Sequence, residues 1–374
     1  MAHAPLRLAL IGAGDLGEKC AEALGAATVA ESWRLIAVAD RDGAAAGRIA
    51  PPDTPTFTDT RRLVNELKPD AVLLATPPAA AAETVRLAAA CGAHVIKAAP
   101  LARTLEEAVE MVRAMSAAQR VFAILSPRRF SASYRALIDR RDELGRLFLG
   151  RAEQVLNWQT GFGWRGDRQS AGGGALLEAG YDMLDLLVAA MGPPEDIFCV
   201  TGRQGRPHMI ESDGEVKPLG VYDTDDTAVV VGRGADGAAA TAVTSWVTSP
   251  TAESLSLHGQ SGSAVATPTG CVFRDADGQL VNRVKGDDRP VPAIARQLTA
   301  LAAALAAAGD APAKYEYKYK YESSAREHLL TMAVVEAAYL SDRTGHSENA
   351  LHLLGTHDLT VEDCLADRPL RPAR

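Results

Sequence analysis

The stretch "LRLALIGAGDLGEKCAEAL", residues 6–24, decides how the first third of the chain is read. Residues 6–11 are a short apolar run bounded by glycine, the mark of a buried parallel strand. Leu16, Cys20 and Leu24 then recur at helical spacing. Between strand and helix stand Gly12, Gly14 and Gly17, spaced GxGxxG. Three glycines alone carry little weight. Here they follow a strand, open a helix, and precede an acid, Asp40, by about 20 residues, the context a dinucleotide-binding turn requires. The first glycine permits the turn, the second lets backbone approach a pyrophosphate, and the third lets helix and strand pack closely. The helix start, at Asp15 and Leu16, offers free N–H groups and a positive dipole end to phosphates. Asp40 is placed to take ribose hydroxyls, which favours NAD; Arg41 beside it could hold a 2′-phosphate, so NADP stays open.

The pattern continues outward. "WRLIAVAD" is a strand ending at Asp40, and "DAVLLATPP" a strand broken by its prolines. Thr76, Pro77 and Pro78 therefore fall at a carboxyl strand end, near the crevice where such sheets bind ligands, and their backbone would line the nicotinamide side. "ETVRLAAACG" is a helix, "HVIKAAP" a strand, "TLEEAVEMVRAMSAAQ" a helix with a capping box at Thr104 and Glu107, and "VFAILSP" a strand. Alternating strands and helices predict an α/β Rossmann domain, a doubly wound parallel sheet, over residues 1–127. Past Pro127 the style changes to strands joined by glycine-containing hairpins, such as "TAVVVGRGADGAAATAVTSW". "GGGALLEAGYDMLDLLVAAMG" reads as a helix among them, and two helices come late. Residues 128–374 are thus expected to form an α+β domain with a large, mostly antiparallel open sheet. "KYEYKYKYE" at 314–322 alternates with period two and predicts an exposed edge strand guarded by lysines.

A chain of 374 residues suits two domains. Its net charge of −8 and pI near 5.6 argue against nucleic acid, which wants a basic stripe. No run of eighteen apolar residues stands out, so no membrane partner is expected. The N-terminus enters a strand directly, without a signal-peptide pattern. Five scattered cysteines with no CxxC pair suit a reducing cytoplasm, are read as buried thiols, and give no metal site.

Taken together, the chain resembles the glucose–fructose oxidoreductase / inositol dehydrogenase / MocA family. "LALIGAGDLGEKCAEAL", "AVADRD", "AVLLATPP" and "HVIKAAPLARTLEEA" match its first domain in order and spacing. "DELGRLFLGRAE", "WRGDRQSAGGGALLEAGYDMLDLLVAAMG", "DTDDTAVVV" and "VVEAAYLSDRTG" match its second. The resemblance implies NAD or NADP in the first domain and a sugar, cyclitol or similar polyol at the face of the second-domain sheet.

The match fails at the family's proton handlers. Its fourth strand ends Glu-Lys-Pro, with the lysine on the reacting oxygen; here the positions are Ala98, Ala99 and Pro100. Its central helix carries Asp-x-Gly-x-His-x-x-Asp, with histidine as proton carrier; here it reads Glu178, Gly180, Asp182 and Asp185. Lys97, two residues before Ala99, leaves the strand on the same face and is the candidate substitute donor, as well as a candidate cofactor contact. Glu178, Asp182 and Asp185 form a helical stripe of carboxylates that must hold protons, a cation or arginines. Asp182, with Glu178, is the second catalytic candidate. Arg129, in "SPRRF", is the candidate for an anionic substrate group. Trp158, Trp164 and Arg165 are expected to cover the site. Tyr181, Asp182 and Asp185 border it from the helix, with Tyr181 packed on the sheet. His258, His346 and His357 are read as non-catalytic.

The leading expectation is a cytoplasmic NAD(P)-dependent oxidoreductase of a sugar, cyclitol or related keto compound with altered acid–base groups. Two alternatives stand beside it: a redox-neutral elimination or epimerisation using tightly held NAD, and a cofactor-binding sensor or partner without turnover. A homodimer or homotetramer is expected, because the open sheet has one face left to cover.

Overall fold

The structure is a computed structural model describing residues 4–158, 162–205, 209–212, 215–218, 221–287, 289–308 and 323–365. Its first sheet contains β1 (Leu6–Ile11), β2 (Trp33–Ala39), β3 (Thr56–Phe57), β4 (Ala71–Leu74), β5 (His94–Ala98) and β6 (Phe122–Leu125). All are parallel, in the order β3-β2-β1-β4-β5-β6. Both faces are buried. Leu8 and Leu10 enter one core, Ala9 and Ile11 the other, which is why the strand reads as a continuous apolar run. The chain leaves β1 toward β2 and returns on the opposite side at β4. The crevice at this switch point is where doubly wound sheets bind ligands. The two-residue β3 was too short to be legible in the sequence.

The second sheet takes its strands in the order β16-β15-β14-β13-β7-β12-β11-β8. These are β7 (Leu147–Asn157), β8 (Asp196–Gly202), β11 (Thr227–Arg233), β12 (Ala239–Ser245), β13 (Val247–Gly259), β14 (Gly262–Thr267), β15 (Gly270–Asp275) and β16 (Leu280–Lys285). Only the central β7–β12 pair is parallel. β9 (Met209–Ser212) and β10 (Glu215–Pro218) form a separate two-stranded ladder. The sequence showed no strand at β8, β9 or β10.

The central helix is shorter than expected, Tyr181–Met191. The residues before it form turns, because the buried Asp225 carboxylate accepts from the backbone N–H groups of Gly174 (2.8 Å) and Leu176 (2.9 Å).

The expected boundary, with everything after residue 127 in the second domain, is corrected by two returns of the chain. The helix Pro290–Ala308 packs against the first sheet's helix Asp15–Leu24. Its Ile294, Leu298 and Leu301 share a core with Leu8, Leu10 and Ile96, and Trp33 Nε1 donates to the Leu298 carbonyl at 2.9 Å. Residues 323–325 then pair antiparallel along β6, through Ile124 N to Ser323 O and Ala325 N to Phe122 O. A sheet edge and an uncovered helix layer are filled from distant sequence. By length and composition alone the helix at 290–307 is apolar enough to cross a membrane; in this fold its apolar stripe is core. Cys20, Cys199, Cys271 and Cys364 are buried, but Cys91 is exposed. The expected edge strand at 314–322 lies outside the described residues.

Candidate active site

The glycine turn joins β1 to the helix Asp15–Leu24. Gly12 adopts φ +103°, and a Cβ there would lie 2.4 Å from the Ala75 carbonyl oxygen at the end of β4. A Cβ on Gly17 would lie 2.0 Å from the Gly12 carbonyl oxygen. Both glycines are therefore demanded by close packing. Gly14 is different: nothing lies within 4 Å of its would-be Cβ, so it faces open space. It is also the helix N-cap, and no side chain caps the first turn. Free N–H groups, a positive dipole end and clear space together fit a phosphate group. Asp15 and Arg41 are exposed, and Leu16 is half-buried.

Asp40, half-buried just beyond β2, braces the turn: one carboxylate oxygen accepts from Ala13 N (2.7 Å), the other from Asp42 N (2.9 Å). Each oxygen keeps a second lone pair for a ribose hydroxyl. Thr76, Pro77 and Pro78 follow β4 at the same edge of the sheet.

A cleft of about 350 Å³ opens beside this turn. Leu16 and Lys19 of the glycine-turn helix form one wall; Ala99, Arg128, Ser131, Tyr134, Asp182 and Glu253 are among the residues that line the rest, with apolar Leu125, Pro127, Pro268, Pro290 and Ala293. Ala99 and Asp182, the two positions where the resemblance leads one to expect proton handlers, thus meet in one cavity.

Lys97 is elsewhere, which corrects its expected role. It is 1% exposed, and its Nζ donates to the carbonyls of Ala98 (2.9 Å) and Pro100 (2.5 Å). The side chain does rise along the expected face of β5, but it closes the turn after the strand and does not line the cleft. Burial lowers its pKa to about 8, opposed by the charges of Glu178 and Glu107.

Each carboxylate of the expected stripe meets its own arginine. Glu178, in the turns before the helix, takes Arg165 Nε at 2.8 Å. Burial pushes the Glu178 pKa up, against Arg165. Arg165 also lies over the rings of Trp158 and Trp164, at 5.0 and 4.4 Å. Trp164 and Arg165 thus gather around Glu178 and are not among the residues lining the cleft. Asp185, fully buried, takes Arg129 bidentately at 2.5 and 2.8 Å, and Thr331 Oγ1 at 3.0 Å. Arg129 Nη1 also reaches Glu327 at 3.1 Å. Burial opposes ionisation of Asp185, but Arg129, His328 and Thr331 together outweigh it and its pKa falls. Arg129 is therefore committed inside the protein and does not face an anionic substrate group.

The arginine in the cleft is its neighbour, Arg128, which sequence reasoning missed. The two stand in a 3₁₀ turn, Pro127–Phe130, where consecutive side chains diverge by about 120°. Arg128 Nη1 donates to Asp182 Oδ2 at 2.8 Å, and its Nε and Nη2 grip Glu253 at 3.0 and 2.8 Å. Tyr134 OH donates to Glu253 at 2.8 Å, and Ser126 Oγ to Asp182 Oδ1 at 3.2 Å. Burial raises the Asp182 pKa, Arg128 opposes it, and the Asp185 charge adds to the rise. A cleft carboxylate held up in this way can take or return a proton nearer neutral pH than an ordinary aspartate.

Tyr181 is also withdrawn from the cleft. It is fully buried and stacks on His328, with centroids 5.8 Å apart and planes at 8°. His328, another missed residue, touches Tyr181 OH through Nδ1 (3.2 Å) and Ser323 Oγ through Nε2 (2.9 Å). Its Nδ1 also lies 3.3 Å from Asp185. This resembles a Ser–His–Asp triad, but Ser323 Oγ donates to the Ile124 carbonyl at 2.7 Å and is fully buried. Burial holds the His328 pKa down at about 4, so the ring is neutral and the contact with Asp185 is no ion pair. The unit is structural.

Comparisons with known proteins bear on both halves. The model of an oxidoreductase family with an NAD-binding Rossmann fold matches residues 6–125, and that of the GFO/IDH/MocA C-terminal domain matches residues 132–265. A D-glucoside 3-dehydrogenase of Escherichia coli is 26% identical over 233 residues, covering 61% of this chain and 64% of that protein. A 1,5-anhydro-D-fructose reductase of Ensifer adhaerens is 32% identical over 170 residues, covering 41% and 51%. The chain thus aligns with less than two thirds of the length of either. Among solved structures, levoglucosan dehydrogenase in complex with NADH and levoglucosan superposes with a TM-score of 0.78 at 20% identity, covering 92% of this chain and 99% of that one. An NAD binding oxidoreductase from Klebsiella pneumoniae superposes at 0.81 and 19% identity, covering 93% and 99%. At such identities the likeness speaks for the fold. With matching models in both halves, the chain belongs to the Gfo/Idh/MocA family of oxidoreductases, whose first domain is an NAD-binding Rossmann fold.

Proposed function

We propose that this protein is an NAD-dependent oxidoreductase acting on a neutral sugar or polyol in the cleft between Ala99, Arg128 and Asp182. The observation that carries this reading is the joining of two features: an open, uncapped glycine turn at Gly14, and a cleft beside it that holds a carboxylate of raised pKa. The turn's N–H groups would hold the pyrophosphate, and Asp40 the ribose hydroxyls. A carboxylate there disfavours a 2′-phosphate, so NAD is preferred over NADP. Bound, the dinucleotide supplies or accepts a hydride. Asp182 exchanges the proton of the substrate hydroxyl, and Tyr134, Ser131 and Glu253 offer hydrogen bonds to the others. The sugar substrate class draws support from the relatives named as glucoside and anhydrofructose enzymes.

The test has two stages. NADH binding is measured by fluorescence. Levoglucosan, methyl glucosides and anhydro-sugars are then screened with NAD and NADP for formation of reduced cofactor. Cofactor binding with an empty screen would favour the sensor reading instead. Near-ultraviolet absorbance of the purified protein would mark retained NADH.

A homodimer or homotetramer is part of the same reading. Val200, Val229 and Val243 are direct neighbours across β8, β11 and β12, as are Phe198 and Val231, and all five are exposed. Such a contiguous apolar patch on a sheet face suits a self-complementary interface.

A further inference from the structure

We infer that Arg128 supplies the hydrogen-bond donor that this chain lacks at Ala99, so that Arg128 and Asp182 together act as the donor and base of hydroxyl oxidation. The inference rests on the function proposed above and names two residues of its machinery.

The donor accounting points to it. An arginine has five N–H groups. Arg128 spends its Nε–H on Glu253, both Nη2 hydrogens on Gln154 (3.1 Å) and Glu253, and one Nη1 hydrogen on Asp182. Among the described residues one N–H is left, on the nitrogen already bound to Asp182. A donor and a basic oxygen therefore stand side by side in the cleft, which is what a secondary hydroxyl needs. The hydroxyl O–H bond breaks, its proton passes to Asp182, and the electron pair stays on oxygen, where the Nη1–H meets the growing charge. The carbonyl forms as the carbon's hydride leaves to the dinucleotide.

The position also fits. Ala99 follows β5, and Arg128 follows the adjacent β6. The two strand ends are tied by Ala99 N to Leu125 O at 3.2 Å. A cation lost from one strand end is thus replaced from the next. Glu253, Gln154 and Asp182 hold the guanidinium on three sides and fix its direction. Lys97 cannot compete while both carbonyls hold its ammonium. Lys19, the cleft's other cation, stands on the glycine-turn helix and needs a direct control.

The substitution has a kinetic signature. A lysine donor titrates and gives an alkaline fall in rate, whereas a guanidinium stays charged throughout the accessible range. The parent should show only the acid-side rise due to Asp182.

The experiment compares the parent with R128M, R128K, A99K, K19M and the double variant R128M/A99K. NADH affinity, melting temperature, and kcat and KM against pH are measured with the sugars of the screen. R128M should keep NADH affinity within a few-fold and lose roughly 10²–10³ in kcat, the cost of removing one donor from a developing oxyanion. R128M/A99K should regain most of that loss and acquire the alkaline limb absent from the parent. R128K, which keeps the cation for Asp182 and Glu253, serves if R128M melts too low to assay; it should fold and still lose kcat.

A second readout needs neither sugar nor cofactor. The Asp182 carboxyl band, identified in infrared spectra by its absence from D182N, should persist in its protonated form to higher pH in R128M than in the parent. The inference is overturned by unchanged kcat in R128M and R128K, by failure of A99K to rescue a folded, NADH-binding R128M, by an unmoved Asp182 band, or by a kcat collapse in K19M alone. A parent that binds NADH but oxidises none of the sugars overturns it and leaves the cofactor reading standing. A parent that binds no NADH overturns both.

Discussion

The glycine turn borders the cleft, and the carboxylate centre reaches it through Arg128, Asp182 and Glu253, yet the two are built differently. The turn is made of backbone. Its glycines stand where a Cβ would strike the carbonyl of Ala75 or of Gly12, or where space is open for a ligand. Such a site is written into consecutive residues, and the chain keeps it whole. The centre is made of side chains from separate segments: Arg128 and Arg129 from one turn, Asp182 and Asp185 from a helix, Glu253 from β13, Glu327 and His328 from the start of the helix His328–Thr344. A side-chain site can change its members while the frame persists. In this chain its carboxylates are held by Arg128, Arg129 and Arg165.

The comparison breaks most sharply through charge. Arg129→Met would leave the fully buried Asp185 without its bidentate partner and should cost about 3–5 kcal/mol in denaturant unfolding. NADH affinity of the folded protein should hold. An Arg129→Met protein as stable as the parent would show that the centre is no structural unit.

His328 gives a pH-dependent version. Its pKa is held down from 6.5 to about 4, so below 6.5 the unfolded chain binds a proton that the folded chain refuses. Stability should fall as pH drops from 6.5 toward 4, by on the order of 3 kcal/mol at full extent. His94, held down to about 4 as well, adds a fall of the same sign. His328→Gln should therefore flatten only part of the acid slope; an unaltered slope would assign it all to His94 and other groups.

Gly14→Val should do the reverse of Arg129→Met. With nothing within 4 Å of the new Cβ, melting should barely move. NADH affinity should fall roughly a hundredfold, about 2.7 kcal/mol, because the backbone can no longer approach the pyrophosphate. Calorimetry showing parental affinity would remove the turn from the cofactor site.

Lys97→Met should have the smallest effect on turnover, less than about tenfold, since the ammonium serves two carbonyls rather than the cleft. Its trace is in the alkaline stability curve. The folded pKa of about 8 lies below the ordinary 10.5, so the parent should gain stability as pH rises between those values. The variant should lose that rise. A hundredfold loss of turnover would return Lys97 to the catalytic role expected from the sequence.

Read as a string, the chain discloses what depends on local periodicity. The runs at 6–11, 33–40 and 122–125, the GxGxxG turn and the alternation of strand with helix follow from steric and burial rules acting over a few residues. They determined the Rossmann half, its switch-point crevice and the family. The pairing of Asp182, Asp185 and Glu178 with arginines was half-visible as well, because a buried stripe of carboxylates must find positive charge. Which arginine met which carboxylate was decided only in three dimensions. Arg128 and Arg129 are adjacent and identical in chemistry, and a single 3₁₀ turn sends one to the cleft and the other to the core. The same holds for Lys97, whose direction along β5 was legible but whose partners, two carbonyls in the following turn, were not. The returns of 290–308 and 323–325 to the first sheet likewise depend on a free strand edge and an open helix layer far away in the chain. Local sequence specifies backbone shape, while the partner of a charged side chain is settled by contacts between segments that only the folded chain brings together.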